Sequence, residues 1–242
     1  MKRRVRMNSN ALSTELAAEF AESLKDLTVL SSGLAELTEK NASIVDNALT
    51  NDPNYKWRVF GPRKEFIRLK RKAPLYDPSE ARKTKCENIY NDFTHREMYM
   101  ILSSIKSYNK LVGSPPSGHL RDIASYILYK PFCCFARILK GDLSLVEDIN
   151  KFFKIRFNRA EPIMSSKICA YLSIYLFGLD NYCVYDKVTS KLLPEYRKAY
   201  NLKPMPSSFY TEYCAALEDL RRNVCPKLTK TQMHHIIWYI NK

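Results

Sequence analysis

The chain has 242 residues, 45% of them hydrophobic, and a formal net charge of +14. That length and apolar content exclude a chain disordered throughout and allow one large core or two small ones. The basic excess favours a polyanionic partner, either nucleic acid or an anionic membrane surface, and no apolar stretch reaches the length of a membrane span.

The charge is uneven along the chain. Residues 1–50 carry six bases and seven acids, a net of −1, which leaves +15 for the rest. In this neutral part, 13–29 repeats apolar positions at helical spacing after a Ser/Thr start. A second helix is predicted over 34–49, ended by "NDPN". Residues 1–52 therefore read as a helical hairpin extension. "MKRRVRMNSN" begins basic without a continuous apolar stretch behind it, so no secretory leader is expected.

Residues 53–86 form a basic aromatic arm. Lys56, Arg58, Arg63, Lys64, Arg68, Lys70, Arg71 and Lys72 lie among Trp57, Phe60, Phe66 and Tyr76. Bases bind phosphates, and interleaved aromatics stack on nucleobases or anchor the segment. These residues are the candidate DNA contacts; the plainer reading is a solvated basic arm.

From 87 to 242 the pattern is helix after helix, with only six glycines in the whole chain. Helices are predicted from 79 to 93 and from 94 to 111, and "GSPPSGH" forms a loop. A helix from Ser117 should stop near Pro131, and the next should end at Lys140–Gly141. "SLVEDINKFFKIRF", "KVTSKLLPEYRKAY", "SSFYTEYCAALEDLRRNV" and "TKTQMHHIIWYINK" complete the series. The fold class is mainly α. The seven cysteines, odd in number and several in apolar helical runs, read as reduced buried thiols. Cys214, Cys225, His234 and His235 match no metal spacing, so no metal or other cofactor is expected.

Chemistry concentrates in "SSKICAYLSIYLFGLDNYCVYDKVTSKLL". Ser165 or Ser166 is the expected N-cap, which places Lys167 in the first turn, where the helix dipole disfavours a cation. A neutral lysine amine is a carbon nucleophile that forms Schiff bases. The helix runs apolar to Gly178, its expected C′ residue. A short link then delivers Asp186 to the start of another helix, where a capping carboxylate stays ionised and can stabilise a cation. A solvated lysine and an ordinary capping aspartate would leave the same trace.

This grammar resembles the helix-hairpin-helix (HhH-GPD) DNA glycosylase superfamily, in particular its 8-oxoguanine glycosylase branch. There, a catalytic lysine follows the hairpin and an aspartate lies about nineteen residues later at the next helix N-terminus; here the separation from Lys167 to Asp186 is nineteen. The resemblance covers about 161–193. It implies a glycosylase-like core over 87–242, with Lys167 attacking the sugar C1′ and Asp186 stabilising the oxocarbenium-like sugar. The family hairpin reads Leu-Pro-Gly-Val-Gly-x-Lys, and this chain reads "EPIMSSK". Pro162 keeps its place, Ile163 and Ser165 stand where glycines do, and Ser165 and Ser166 are then expected to hold the DNA phosphate.

A glycosylase must flip its base into an aromatic pocket. The last helix gathers Gln232, His234, His235, Trp238 and Tyr239. Gln232, His235 and Trp238, with His119 in the loop before an earlier helix, are the base-pocket candidates; a core-facing stripe is the competing explanation. The expected protein excises an oxidised purine in repair, or a hypermodified base of phage DNA in defence, and leaves an abasic site with or without lyase cleavage. Its expected partner is double-stranded DNA without a membrane, as a monomer, in a nucleoid-containing cytoplasm or a nucleus. The alternatives are a non-catalytic basic DNA-binding helical protein and, behind it, a membrane-surface or protein-interaction module.

Overall fold

The computed structural model describes residues 24–51, 64–83, 86–108 and 116–241. Among them the chain is mainly α. The helices are α1 (Glu39–Asn51), α2 (Pro78–Lys83), α3 (His95–Tyr108), α4 (Ser117–Leu128), α5 (Cys134–Lys140), α6 (Ser144–Phe157), α7 (Pro162–Phe177), α8 (Lys187–Ala199), α9 (Tyr210–Val224) and α10 (Lys230–Ile240). One isolated antiparallel bridge joins Val29 to Ala35.

The predicted helix over 13–29 lies largely outside the described residues, and its end is not α-helical. Leu24–Asp26 is a 3-10 turn, and 28–36 folds back on itself with Gly33 at φ 81°. Asn41 latches this turn: its amide donates to the Thr28 and Glu36 carbonyls, both at 2.8 Å, and its Oδ1 accepts from the Thr28 N–H at 3.0 Å. With 28–36 held this way, α1 starts at Glu39 rather than at Leu34, and the Thr38 hydroxyl accepts from the Asn41 N–H. α1 packs along α10, and its buried Ala42, Val45 and Leu49 join the same core as Met233, Ile236 and Ile237.

The described part of the arm, from 64 to 83, is more structured than a solvated segment. Lys56, Arg58 and Arg63 lie outside the described residues; 64–70 is helical. Phe66 is fully buried, with its ring 5.2 Å from that of Tyr175 in α7. Further on, the N–H groups of Leu75 and Tyr76 donate to the carbonyls of Tyr175 and Leu176 at 3.0 and 2.8 Å. These bonds satisfy carbonyls that the end of α7 would otherwise leave open.

In place of one helix over 79–93 the chain forms α2 and a 3-10 stretch, Glu87–Asp92. α3 and α4 pack together. α4 ends at Leu128, before Pro131. α5 ends at Gly141 in the left-handed region, φ 70°, and α6 spans the apolar-periodic run residue for residue. α6 packs on α7, and α8, α9 and α10 pack on one another. All seven cysteines are free thiols.

Candidate active site

α6 ends at Asn158, which takes the left-handed conformation at φ 53°. Asparagine tolerates this conformation. A three-residue link leads to Glu161, the N-cap of α7, whose N–H donates to Asn150 Oδ1 at 2.6 Å. Pro162 is then N1, where its missing N–H costs nothing. Ile163 and Ser165 therefore sit inside ordinary helix, and the hairpin turn lies before them.

This start corrects two sequence expectations. The N-cap is Glu161, not Ser165 or Ser166, so Lys167 is the sixth helical residue and stands in the second turn. Ser165 and Ser166 are both fully buried. The Ser165 hydroxyl donates to Glu161 O at 2.8 Å and the Ser166 hydroxyl to Ile163 O at 2.9 Å. Neither presents a group to a DNA phosphate. Glu161 also puts a carboxyl at the helix N-terminus, where an anion would otherwise bind; burial raises its pKa, against the opposing charges of Arg159 and Lys106.

After α7 the backbone turns at Gly178, φ 66°. The link to α8 is fastened from several sides. Ser173 Oγ donates to Leu179 O at 2.9 Å. Tyr210 Oη donates to Cys183 O at 2.8 Å, and Tyr213 Oη to Val184 O at 3.0 Å. The Tyr185 N–H donates back to Ser166 Oγ at 3.1 Å. That bond sets residues 166 and 185 side by side, and Lys167 and Asp186 are the next residues along the chain from its two ends.

Asp186 caps α8. Its Oδ1 accepts from the Val188 and Thr189 N–H groups at 2.8 and 2.9 Å, and its Oδ2 from the Thr189 hydroxyl at 2.9 Å. His234 of α10 brings Nε2 to 2.5 Å from the same Oδ2. Burial alone would push the carboxyl up, but the hydrogen bond and field of His234, with the Thr189 bonds, hold it at about 2. An ionised carboxylate accepts, so His234 Nε2 carries the proton. Burial presses the imidazole pKa down, Asp186 pulls it up, and the charges of His235 and Lys167 push it down again. Half-buried Lys167 thus acts electrostatically on the imidazole that holds Asp186. The Trp238 indole lies parallel to the His234 ring, with centroids 6.1 Å apart.

The base-pocket candidates separate. Trp238 stands beside His234 and so beside Asp186. His235 Nδ1 is 3.0 Å from Asp46 Oδ1, and Gln232 Nε2 is 3.4 Å from Asp46 Oδ2. Both therefore face α1, where Gln232 lines a separate polar cleft of about 500 Å³ with Glu39, Asp46 and Lys227. His119 stacks on Phe157 at 3.7 Å, beside the end of α6. The residue that reaches Asp186 is His234, 48 positions away in sequence. No spacing rule marks it; only the turn of α10 distinguishes its face from that of His235.

Within the arm, Lys70 is turned inward. Its side chain is 11% exposed, pairs with Glu97 at 3.1 Å, bonds the Asp92 carbonyl and lies 4.3 Å from the centre of the Phe93 ring. This corrects its assignment as a DNA contact. Arg68 is bonded to Glu65 at 3.0 Å, with its own side chain largely exposed, and Lys64, Arg71 and Lys72 are exposed.

No family model, curated protein or solved structure matches the chain. Among the described residues, no cluster of three or more His, Cys, Asp or Glu could hold a metal ion. No described helix is long and apolar enough to cross a membrane.

Proposed function

We propose that the chain is a DNA glycosylase in which Lys167 is the nucleophile and Asp186 the electrostatic partner of the reacting sugar. One observation carries the reading. The Ser166–Tyr185 hydrogen bond joins the residues that precede Lys167 and Asp186, and Asp186 is half-buried with its carboxyl held at about 2. A structural cap needs neither a histidine at 2.5 Å nor a neighbouring lysine. Perturbed, partnered ionisable groups of this kind mark functional sites.

In the proposed reaction Lys167, after losing its ammonium proton, attacks C1′ of a flipped nucleotide. The C1′–N bond breaks, and its electron pair leaves with the base, which takes a proton. The sugar carries positive charge at the transition state, and the Asp186 carboxylate lowers its energy. The amine then gives up a proton, the C1′–O4′ bond breaks with O4′ taking a proton, and a C1′ iminium linked to Lys167 remains. An oxidised purine and a hypermodified base are both substrate classes of this reading. A net of +15 after residue 50 supports DNA as the partner.

The test offers duplexes carrying oxidised, alkylated or hypermodified bases and measures free base released. Wild type is expected to release base from at least one duplex, and Lys167→Gln from none. A non-catalytic basic DNA-binding protein would bind every duplex, equally well in the variant, and release nothing.

A further inference from the structure

An aspartate carboxylate has about four acceptor positions. In Asp186 all four are occupied: two backbone N–H groups on Oδ1, then the Thr189 hydroxyl and His234 Nε2 on Oδ2. Three of these donors belong to the first turn of α8, the helix that Asp186 caps. The fourth comes from a different helix, and the Trp238 ring lies parallel to that of His234. A carboxylate whose acceptor positions are filled has no free lone pair with which to take a proton from water. It remains a fixed negative charge.

We propose that His234 is the positioning residue of this site: by occupying the last acceptor position of Asp186 it makes the carboxylate a permanent anion rather than a general base, which leaves Lys167, of the two groups, to open the glycosidic bond. The assignment of chemistry rests on the glycosylase reading; the coupling of His234 to Asp186 does not. It follows that base release proceeds through the lysine adduct, with no parallel route through activated water.

Among the described residues, the ionisable groups that act on the pair come from three helices. Asp186 is faced by His234 from α10 and by the buried Tyr213 phenol from α9, which feels its charge but donates to Val184 O. His234 is faced by Asp186, by Lys167 from α7 and by its own neighbour His235, itself paired with Asp46 of α1.

The experiment has two arms on the full chain. The first needs no DNA: the Asp186 carboxyl is followed by NMR against pH in wild type, His234→Gln and His234→Phe, and the His234 ring nitrogens in wild type. Glutamine can place a donor near the Nε2 position, and phenylalanine keeps the ring against Trp238 without one. Wild type should show a neutral Nε2–H tautomer. In His234→Phe the carboxyl should titrate about one pH unit or more higher, because burial then acts with one donor fewer, and His234→Gln should stay near wild type. The second arm measures borohydride trapping on abasic DNA against pH. Trapping should fall at every pH in His234→Phe, where the carboxylate has lost the donor that holds it, and return in His234→Gln. If His234→Phe fails to fold, His234→Asn, whose donor falls short of Oδ2, takes its place. An unchanged carboxyl titration in the donor-less variant, or glutamine behaving like phenylalanine, overturns the positioning role. Base release by Lys167→Gln overturns the exclusion of a water route. If wild type neither releases base nor traps, the glycosylase reading falls, and the first arm alone still decides whether His234 holds Asp186.

Discussion

The Ser166 hydroxyl accepts the backbone N–H of Tyr185 at 3.1 Å while donating to Ile163 O. One buried hydroxyl therefore ties the second turn of α7 to the residue before the α8 cap. Lys167 and Asp186 follow the two ends of that bond, so its geometry sets theirs.

Replacing Ser166 with alanine removes the acceptor and leaves a part-buried N–H without a partner. The cost expected is about 1–3 kcal/mol, read from chemical denaturation. Trapping should fall by about tenfold or more, because a small displacement of reacting groups is costly. Unchanged stability and unchanged trapping would mean that the link is held elsewhere, by Tyr210 and Tyr213.

The His234–Asp186 pair predicts how stability depends on pH. The imidazole pKa is lowered in the fold, so the unfolded chain binds the proton first. Stability from that group is complete above about pH 6.5 and declines as pH falls below it. The carboxyl is held at about 2, so its share, about 2 kcal/mol, is present above about pH 4 and lost as pH falls through the folded value. Melting temperature should therefore start to decline near pH 6, before the carboxylates titrate. His234→Gln should remove that first phase and keep the second.

The arm separates charge from packing. If DNA is the partner, Arg71→Gln and Lys72→Gln should each flatten the salt dependence of binding by about one unit for each phosphate left without its cation. Lys70→Gln should leave that slope alone and lower the melting temperature, since Lys70 is spent on Glu97, Asp92 and Phe93. A drop in slope at Lys70 equal to that at Arg71 would contradict its internal role.

Gly178 closes α7 at φ 66°, and a side chain there would meet the Pro74 ring at 3.3 Å. Gly178→Ala should cost about 1–2 kcal/mol for the left-handed backbone alone, with any strain against Pro74 added. The measurement is a denaturation midpoint.

Much of the helical frame is readable from the chain. α6 follows its apolar period from end to end, α5 stops at the glycine after Lys140, and Gly178 ends α7, because local propensity and packing agree there. The start of α7 is readable too, through a signal other than serine: Pro162 at N1 outweighs Ser165 and Ser166 as caps, since its fixed φ starts the helix where it stands. The turn over 28–36 depends on Asn41, thirteen positions beyond Thr28, and a local window does not see it.

The candidate site divides in the same way. Lys167 and Asp186 stand out by spacing and by their positions on helices. His234 does not, because adjacent helical residues point about 100° apart and only the packing of α10 against both α1 and α8 decides which histidine meets which aspartate. Lys70 reads as one base among many until Glu97 and Phe93, from beyond the arm, enclose it.

The central claim is that Lys167 bonds covalently to a DNA sugar. The most direct measurement is borohydride reduction of the full chain with abasic duplex DNA, followed by peptide mapping of any crosslinked product. The account predicts one adduct, on the peptide containing Lys167, absent in Lys167→Gln and much reduced in Asp186→Asn. An adduct mapped to another lysine, or undiminished trapping by Lys167→Gln, would contradict it.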